Sequence, residues 1–403
     1  MYIDASTPLN VVLTVKIRGS IAPGTLQAAL AKVQRKHPFL RVKISEGEDG
    51  FPYFVTSDTI REIPVQIMDR NNDEDWKAQN VLEWKELFNV DDAPMARVVW
   101  LKGAEVSELI LVCAHCICDG KSIVTLMSEI LLLMDRPETK LSAYPLFGSV
   151  EELLSEPYTV SQVMKGERAA AAFRKLFHAR PEAPQPSAEH NYLVHWKFDA
   201  TITKRLIEQC RKNGTTVHAA LCVIFLDAFR AVKGSSASGI VRSPVDIRNL
   251  IPQIKEDMMF AMAPSVTLSA DPGIADFWMK AKIFKTELMQ KIEALNGAEM
   301  LVVDEYLPVD IMINGMRRSS GIQDFMLSNL GRLNIAAHYR SFDIETIYGP
   351  TAAFPFASPT AVVVSTFEDE IDFSLCSNHP YLHQQSAAQI CEKVKELVAK
   401  NIS

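Results

Sequence analysis

Cys113-Ala114-His115-Cys116-Ile117-Cys118-Asp119-Gly120 decides how this chain is read. The apolar residues 109–113 form a run of the kind a buried strand makes, and they deliver His115 to its end. Four residues later Asp119-Gly120 turns the chain. Ile123, Leu126, Met127, Ile130 and Leu131 then recur at helical spacing. Imidazole titrates near neutrality, so a histidine presented this way suits a general base for an alcohol, amine or thiol. Asp119 could orient the ring, as in a triad, or brace the loop by pairing with a cation elsewhere. Gly120 would allow the tight turn. A buried, satisfied histidine beside a helix-capping aspartate fits the same spacing.

Several other chemistries fail on spacing. Gly120-Lys121-Ser122 resembles the tail of a phosphate-binding loop, but His115 stands where that loop needs its first glycine. Cys113 and Cys116 have C-x-x-C spacing inside the apparent strand rather than at a helix N-terminus, where a redox pair belongs. No second ligand pair stands at zinc spacing, so no metal site is expected. The 403 residues carry a net charge of −7, and no basic run of five residues appears, which argues against nucleic acid as the main partner. Apolar stretches such as residues 109–113 and 130–134 fall far short of a transmembrane span. The opening residues lack the basic and apolar regions of a signal peptide. Seven cysteines, an odd number, fit reduced thiols and a cytoplasmic location.

Working outward, strands and helices alternate. Residues 9–18 read as a strand ending at Gly19, and Leu26, Leu30 and Val33 mark a helix closed by Pro38. Residues 39–44 alternate as a strand. Residues 96–101 and 108–116 read as a strand pair turning at Gly103. Pro181-Glu-Ala-Pro184-Gln-Pro186 cannot sit inside a helix or a central strand. It divides the chain into residues 1–180, a linker at 181–190, and residues 191–403. The second half repeats the rhythm. A strand at 194–198 leads to a helix carrying Ile202, Leu206 and Cys210, which Gly214 caps. A mostly apolar helix spans 217–232. Strands follow at 240–243, 343–348, 361–367 and 371–377, with a helix at 277–295 between the first two. Ser386-Ala-Ala-Gln389 has capping-box spacing and opens a last helix. The fold class is therefore α/β or α+β, built as two sandwich halves with a groove between them.

His115-Cys-Ile-Cys-Asp119-Gly120 resembles the HxxxDG motif of the chloramphenicol acetyltransferase-like superfamily, which includes the condensation domains of nonribosomal peptide synthetases. Further segments resemble that superfamily in order. They are Arg35-Lys-His-Pro-Phe-Leu-Arg41, Phe88 to Arg97 with Pro94, Thr215-Thr-Val-His218-Ala-Ala-Leu, Pro244-Val-Asp246-Ile-Arg248 and Ser328-Asn329-Leu-Gly331. The third of these is most similar to polyketide-associated and alcohol acyltransferases. The chain departs by carrying Ala114 where the family often has a first histidine, and by lacking the DFGWG signature of the BAHD branch.

The resemblance implies a V-shaped pseudo-dimer with a central channel, formed within one chain and so active as a monomer. It implies His115 as general base and Asp119 as a structural residue paired with Arg248. Ser328 or Asn329, in a late turn, would donate to an oxyanion or line the channel. His37 and His218 are expected to pack rather than react. No bound cofactor is implied. The co-substrate would be acyl-CoA or a phosphopantetheinyl thioester, the acceptor a small molecule with a hydroxyl, and a further partner an acyl or peptidyl carrier protein. The resemblance also admits an amide-forming condensation enzyme and a non-catalytic carrier- or lipid-binding protein.

Overall fold

The computed structural model describes residues 7–48, 52–56, 61–91, 94–154, 156–178, 187–262, 264–306, 322–354 and 360–403. In the first half β1 (Asn10–Gly19), α1 (Pro23–Lys36), β2 (Val42–Glu46), β3 (Pro52–Thr56), β4 (Val65–Asp69) and α2 (Asp75–Glu83) come first. They are followed by β5 (Ala96–Lys102), β6 (Val106–Ala114), α3 (Gly120–Asp135) and α4 (Val160–His178). The second half opens with β7 (Asn191–Phe198), α5 (Ala200–Lys212), α6 (Val217–Lys233), β8 (Ile240–Pro244) and β9 (Ser265–Ser269). It continues through α7 (Phe277–Glu293), α8 (Gly297–Tyr306), β10 (Phe325–Arg332), β11 (Phe342–Ala352), β12 (Ala361–Phe367), β13 (Glu370–Asn378) and α9 (Gln384–Ile402).

Two mixed sheets, in the orders β11-β1-β6-β5-β4 and β7-β13-β12-β10-β8-β9, organise the fold, and β2 and β3 pair separately as a two-stranded sheet. The first sheet borrows β11 from the second half, paired antiparallel to β1 from Val11 opposite Ala352 to Gly19 opposite Phe342. The two halves are therefore interlocked by a shared strand.

The unbroken apolar run of β6 has a physical cause, since both of its faces are covered. Leu109, Leu111 and Cys113 join the core under α1 and α3. Ile110 and Val112 join a second layer with Val12, Trp76 and Tyr348, which also takes in Leu193 of β7 and Cys376 of β13. That layer is where the two sheets meet. Helix α6 is apolar on nearly every side because the second core surrounds it.

Three local expectations need correction. Residues 38–41 form a 3₁₀ turn rather than strand, and pairing starts only at Val42; Pro38 lacks the N–H a ladder needs. Helix α9 begins at Gln384, with His383 at its N-cap and no side-chain cap, so Ser386 lies inside the helix. The amides of Tyr381 and Leu382 already bond to the Asn378 carbonyl, which turns the chain early. Strand β6 stops at Ala114, leaving His115 as the first residue of a turn. Residues 181–186 of the expected linker lie outside the described residues, and β7 starts at Asn191. Among the described residues no single helix is long and apolar enough to cross a membrane.

Candidate functional site

His115 is positioned from its backbone. Its amide donates to the Leu9 carbonyl at 2.8 Å, and the Ala114 amide donates to Met95 at 2.9 Å. These bonds tie the end of β6 to both neighbouring segments. The side chain is 8% exposed, and its ring centroid lies 6.1 Å from that of Phe354. Nδ1 is buried without a hydrogen-bond partner. Burial pushes the imidazole pKa down to about 4, against weaker upward effects of its own carbonyl, Asp119 and the Cys118 carbonyl. The ring is therefore neutral at pH 7.

Asp119 caps α3, its Oδ1 accepting from the Ser122 amide at 2.7 Å. Arg248 reaches it across 129 residues of sequence, with Nη1 2.8 Å from Oδ2 and Nη2 3.4 Å from Oδ1. Both carboxylate oxygens are thus directed to Arg248 and Ser122 rather than to the imidazole. Arg248 is 7% exposed. Its Nη2 also donates to Ser122 Oγ and the Met258 carbonyl, each at 2.9 Å, and its Nη1 to Asp246 Oδ1 at 3.2 Å. Burial opposes the guanidinium charge, but Asp119 and Asp246 outweigh it and hold its pKa above the usual value. Asp246 in turn accepts from Lys121 at 3.0 Å. Burial raises the Asp246 pKa, yet the Arg248 amide and the two cations bring it below the usual carboxylate value.

Two residues in this network, Ser122 and Phe260, were not singled out from sequence. Ser122 donates to the Phe260 carbonyl at 3.1 Å and accepts from the Phe260 amide at 3.0 Å, while the Asp119 amide donates to the same carbonyl at 3.1 Å. Residues 258–260 of the second half are thereby fastened to the first turn of α3. Only the third-position serine after Asp119 signalled this in sequence, and it reads as an ordinary helix residue.

The remaining expected residues are placed as follows. Gly120 is the first residue of α3 and does not have a positive φ, so the turn does not use glycine's conformational freedom. A Cβ there would stand 3.4 Å from Leu330 and 3.5 Å from Pro350, which is ordinary contact. Ser328 and Asn329 lie within β10, not in a turn, opposite Val363 and Val364 of β12. The ladder breaks after Asn329, whose Oδ1 accepts from the Gly331 amide at 2.9 Å; Gly331 takes φ +66°. The end of β10 therefore abuts the start of α3 through Leu330. His218 bonds to Ser243 Oγ at 2.7 Å, and burial lowers its pKa to about 4. His37 bonds to Glu129 at 2.8 Å. All seven cysteines are free. Burial raises the Cys116 pKa to about 11 and that of Cys118 well above its usual value, so neither supplies a thiolate at neutral pH. Among the described residues no group of three or more His, Cys, Asp or Glu could hold a metal ion.

The architecture has solved counterparts across nearly its whole length. The first condensation domain of the CDA synthetase superposes with a TM-score of 0.71, at 14% identity over 98% of this chain and 90% of that one. The fold is that of a condensation domain. The Condensation domain family model matches residues 2–147. The condensation fold is shared with polyketide synthase associated protein 5 from Mycobacterium tuberculosis, at TM-score 0.67, 16% identity and 98% and 94% coverage. It is shared too with the epimerization domain of the third module of tyrocidine synthetase B, at TM-score 0.67, 13% identity and 99% and 92% coverage. In sequence, cyclosporin synthetase simA of Tolypocladium inflatum is 24% identical over 247 residues, 59% of this chain. The chain spans about 2% of the length of that relative.

Proposed function

We propose that the chain is an acyltransferase that moves an acyl group from a thioester to a hydroxyl acceptor, with His115 as general base. The observation that carries this reading is a buried, neutral imidazole at the head of a loop that Arg248 braces from the other half. We assign the ring proton to the buried Nδ1, which leaves the Nε2 lone pair for the acceptor. Nε2 would take the hydroxyl proton as oxygen attacks the thioester carbonyl. The tetrahedral intermediate would expel the thiolate, which recovers the proton from the imidazolium. Thiol and ester leave, and no covalent enzyme intermediate forms.

Asp119 and Arg248 would hold the loop, with neither acting on the ring. Ser328 and Asn329, inside β10 and just before the Leu330 that meets Gly120, would supply the oxyanion donor in this reading; a single such donor is worth roughly 100-fold in rate. The thioester would be acyl-CoA or a phosphopantetheinyl arm on a carrier protein. The test is thiol release from a panel of acyl-CoAs and carrier-bound thioesters, with paired alcohol and amine acceptors. Turnover by the wild-type chain and its loss in His115→Ala support the reading. Full activity in His115→Ala refutes the base. Amide as the sole product would move the acceptor from hydroxyl to amine.

A further inference from the structure

A second charged cluster joins the halves near the site. Lys36, at the C-terminal end of α1 and 6% exposed, sits 2.5 Å from both Glu129 Oε1 and Asp257 Oδ2. Glu129, on α3, also bonds to His37 at 2.8 Å. Tyr144 donates its hydroxyl to Asp257, and its amide donates to the Lys36 carbonyl at 2.9 Å. Lys36, Tyr144, Glu129 and His37 all belong to the first half; Asp257 alone comes from the second. It immediately precedes Met258, whose carbonyl accepts from Arg248. Two residues further on, Phe260 accepts from the Asp119 amide and bonds both ways with Ser122.

We infer that Asp257 is a positioning residue: by anchoring residues 257–260 to Lys36 and Tyr144, it fixes the carbonyls that seat Asp119, Ser122 and Arg248, and through them the His115 loop. This rests on the acyltransferase reading only for its effect on rate. Asp257 is about half exposed, so its ion pair alone adds little to global stability. Without Asp257, Lys36 keeps Glu129 as a partner, so the core around α1 stays neutralised. What changes is the register of a three-residue segment against the α3 cap, and small misplacements of a catalytic group are costly in rate.

The experiment compares the full-length wild type with Asp257→Asn and Asp257→Glu by residue-resolved amide hydrogen exchange and by steady-state thiol release. In Asp257→Asn the Asp119 and Phe260 amides should exchange at least about tenfold faster, while amides of β12 and β13 are unchanged. The kcat should fall about tenfold with KM within about twofold, and Asp257→Glu should recover most of the loss. Unchanged exchange at Asp119 and Phe260 overturns the positioning role, whatever the rates. If the wild type releases no thiol, the acyltransferase reading falls and the exchange data still decide the role of Asp257.

Discussion

The chemistry proposed for His115 depends on keeping its ring neutral, and burial does this without help from a charged partner. With the pKa lowered to about 4, the base form dominates throughout the neutral range. The sign follows directly. A base of ordinary histidine pKa loses activity as pH falls through about 6.5. Here kcat/KM should stay flat from pH 8 to near pH 5 and decline only toward 4. A rate–pH profile on the wild type checks this; an acid limb centred near 6.5 would show the ring to be solvated in the working enzyme. His115→Ala should lower kcat/KM by about 100- to 10,000-fold, the usual contribution of a positioned general base.

At the scale of elements, the Arg248 guanidinium holds α3 and its cap from the opposite half, alongside the Phe260 backbone and the Lys121–Asp246 pair. Arg248 meets Asp119, Ser122, Asp246 and the Met258 carbonyl in a nearly solvent-free setting. Arg248→Ala strands a buried carboxylate, which typically costs about 3–5 kcal/mol. Arg248→Lys keeps the charge but loses the planar fork, so its midpoint in a denaturant titration should fall between those of alanine and wild type. Equal midpoints for all three would mean the pair carries no net stability. Much of this element-level picture was legible in sequence. The run into His115 and the stripe of α3 are local patterns set by burial, and the Asp119 cap is set by short-range bonding. The partnership with Arg248 came from resemblance, not from spacing. The resemblance puts Ser328-Asn329 in a turn, yet pairing with Val363 and Val364 of β12 keeps both in strand. Asp257 gave no signal, since its partner Lys36 is 221 residues away and nothing in its neighbours' periodicity reports the contact.

At the scale of the molecule, the shared strand β11 makes the halves mutually dependent. Without it β1 becomes a sheet edge, and an unpaired, apolar edge strand promotes aggregation. Residues 1–180 expressed alone should be insoluble or lack a cooperative unfolding transition. Co-expression with residues 191–403 should yield a soluble complex of the two pieces, and a well-folded isolated first half would contradict the interlock.

Acid sensitivity is likewise a property of the whole. His115 and His218 lie in different halves, and burial lowers both to about 4. In the unfolded chain each returns to about 6.5, so between those values the unfolded state binds protons that the folded state refuses. Stability is therefore fully present above about pH 6.5 and declines as pH falls toward 4, by up to about 1.4 kcal/mol per pH unit for each histidine. Asp246 and Asp257, with lowered pKa values, keep their contribution until pH drops below the usual carboxylate range, so their loss comes later in the titration. Denaturant midpoints measured at pH 7.5, 6.0 and 5.0 should fall progressively. His218→Gln can preserve a bond to Ser243 without a titrating ring, and it should reduce that pH slope by about the share of one histidine. A wild-type midpoint that holds constant from pH 7.5 to 5.0 would mean that water reaches both rings in the folded protein.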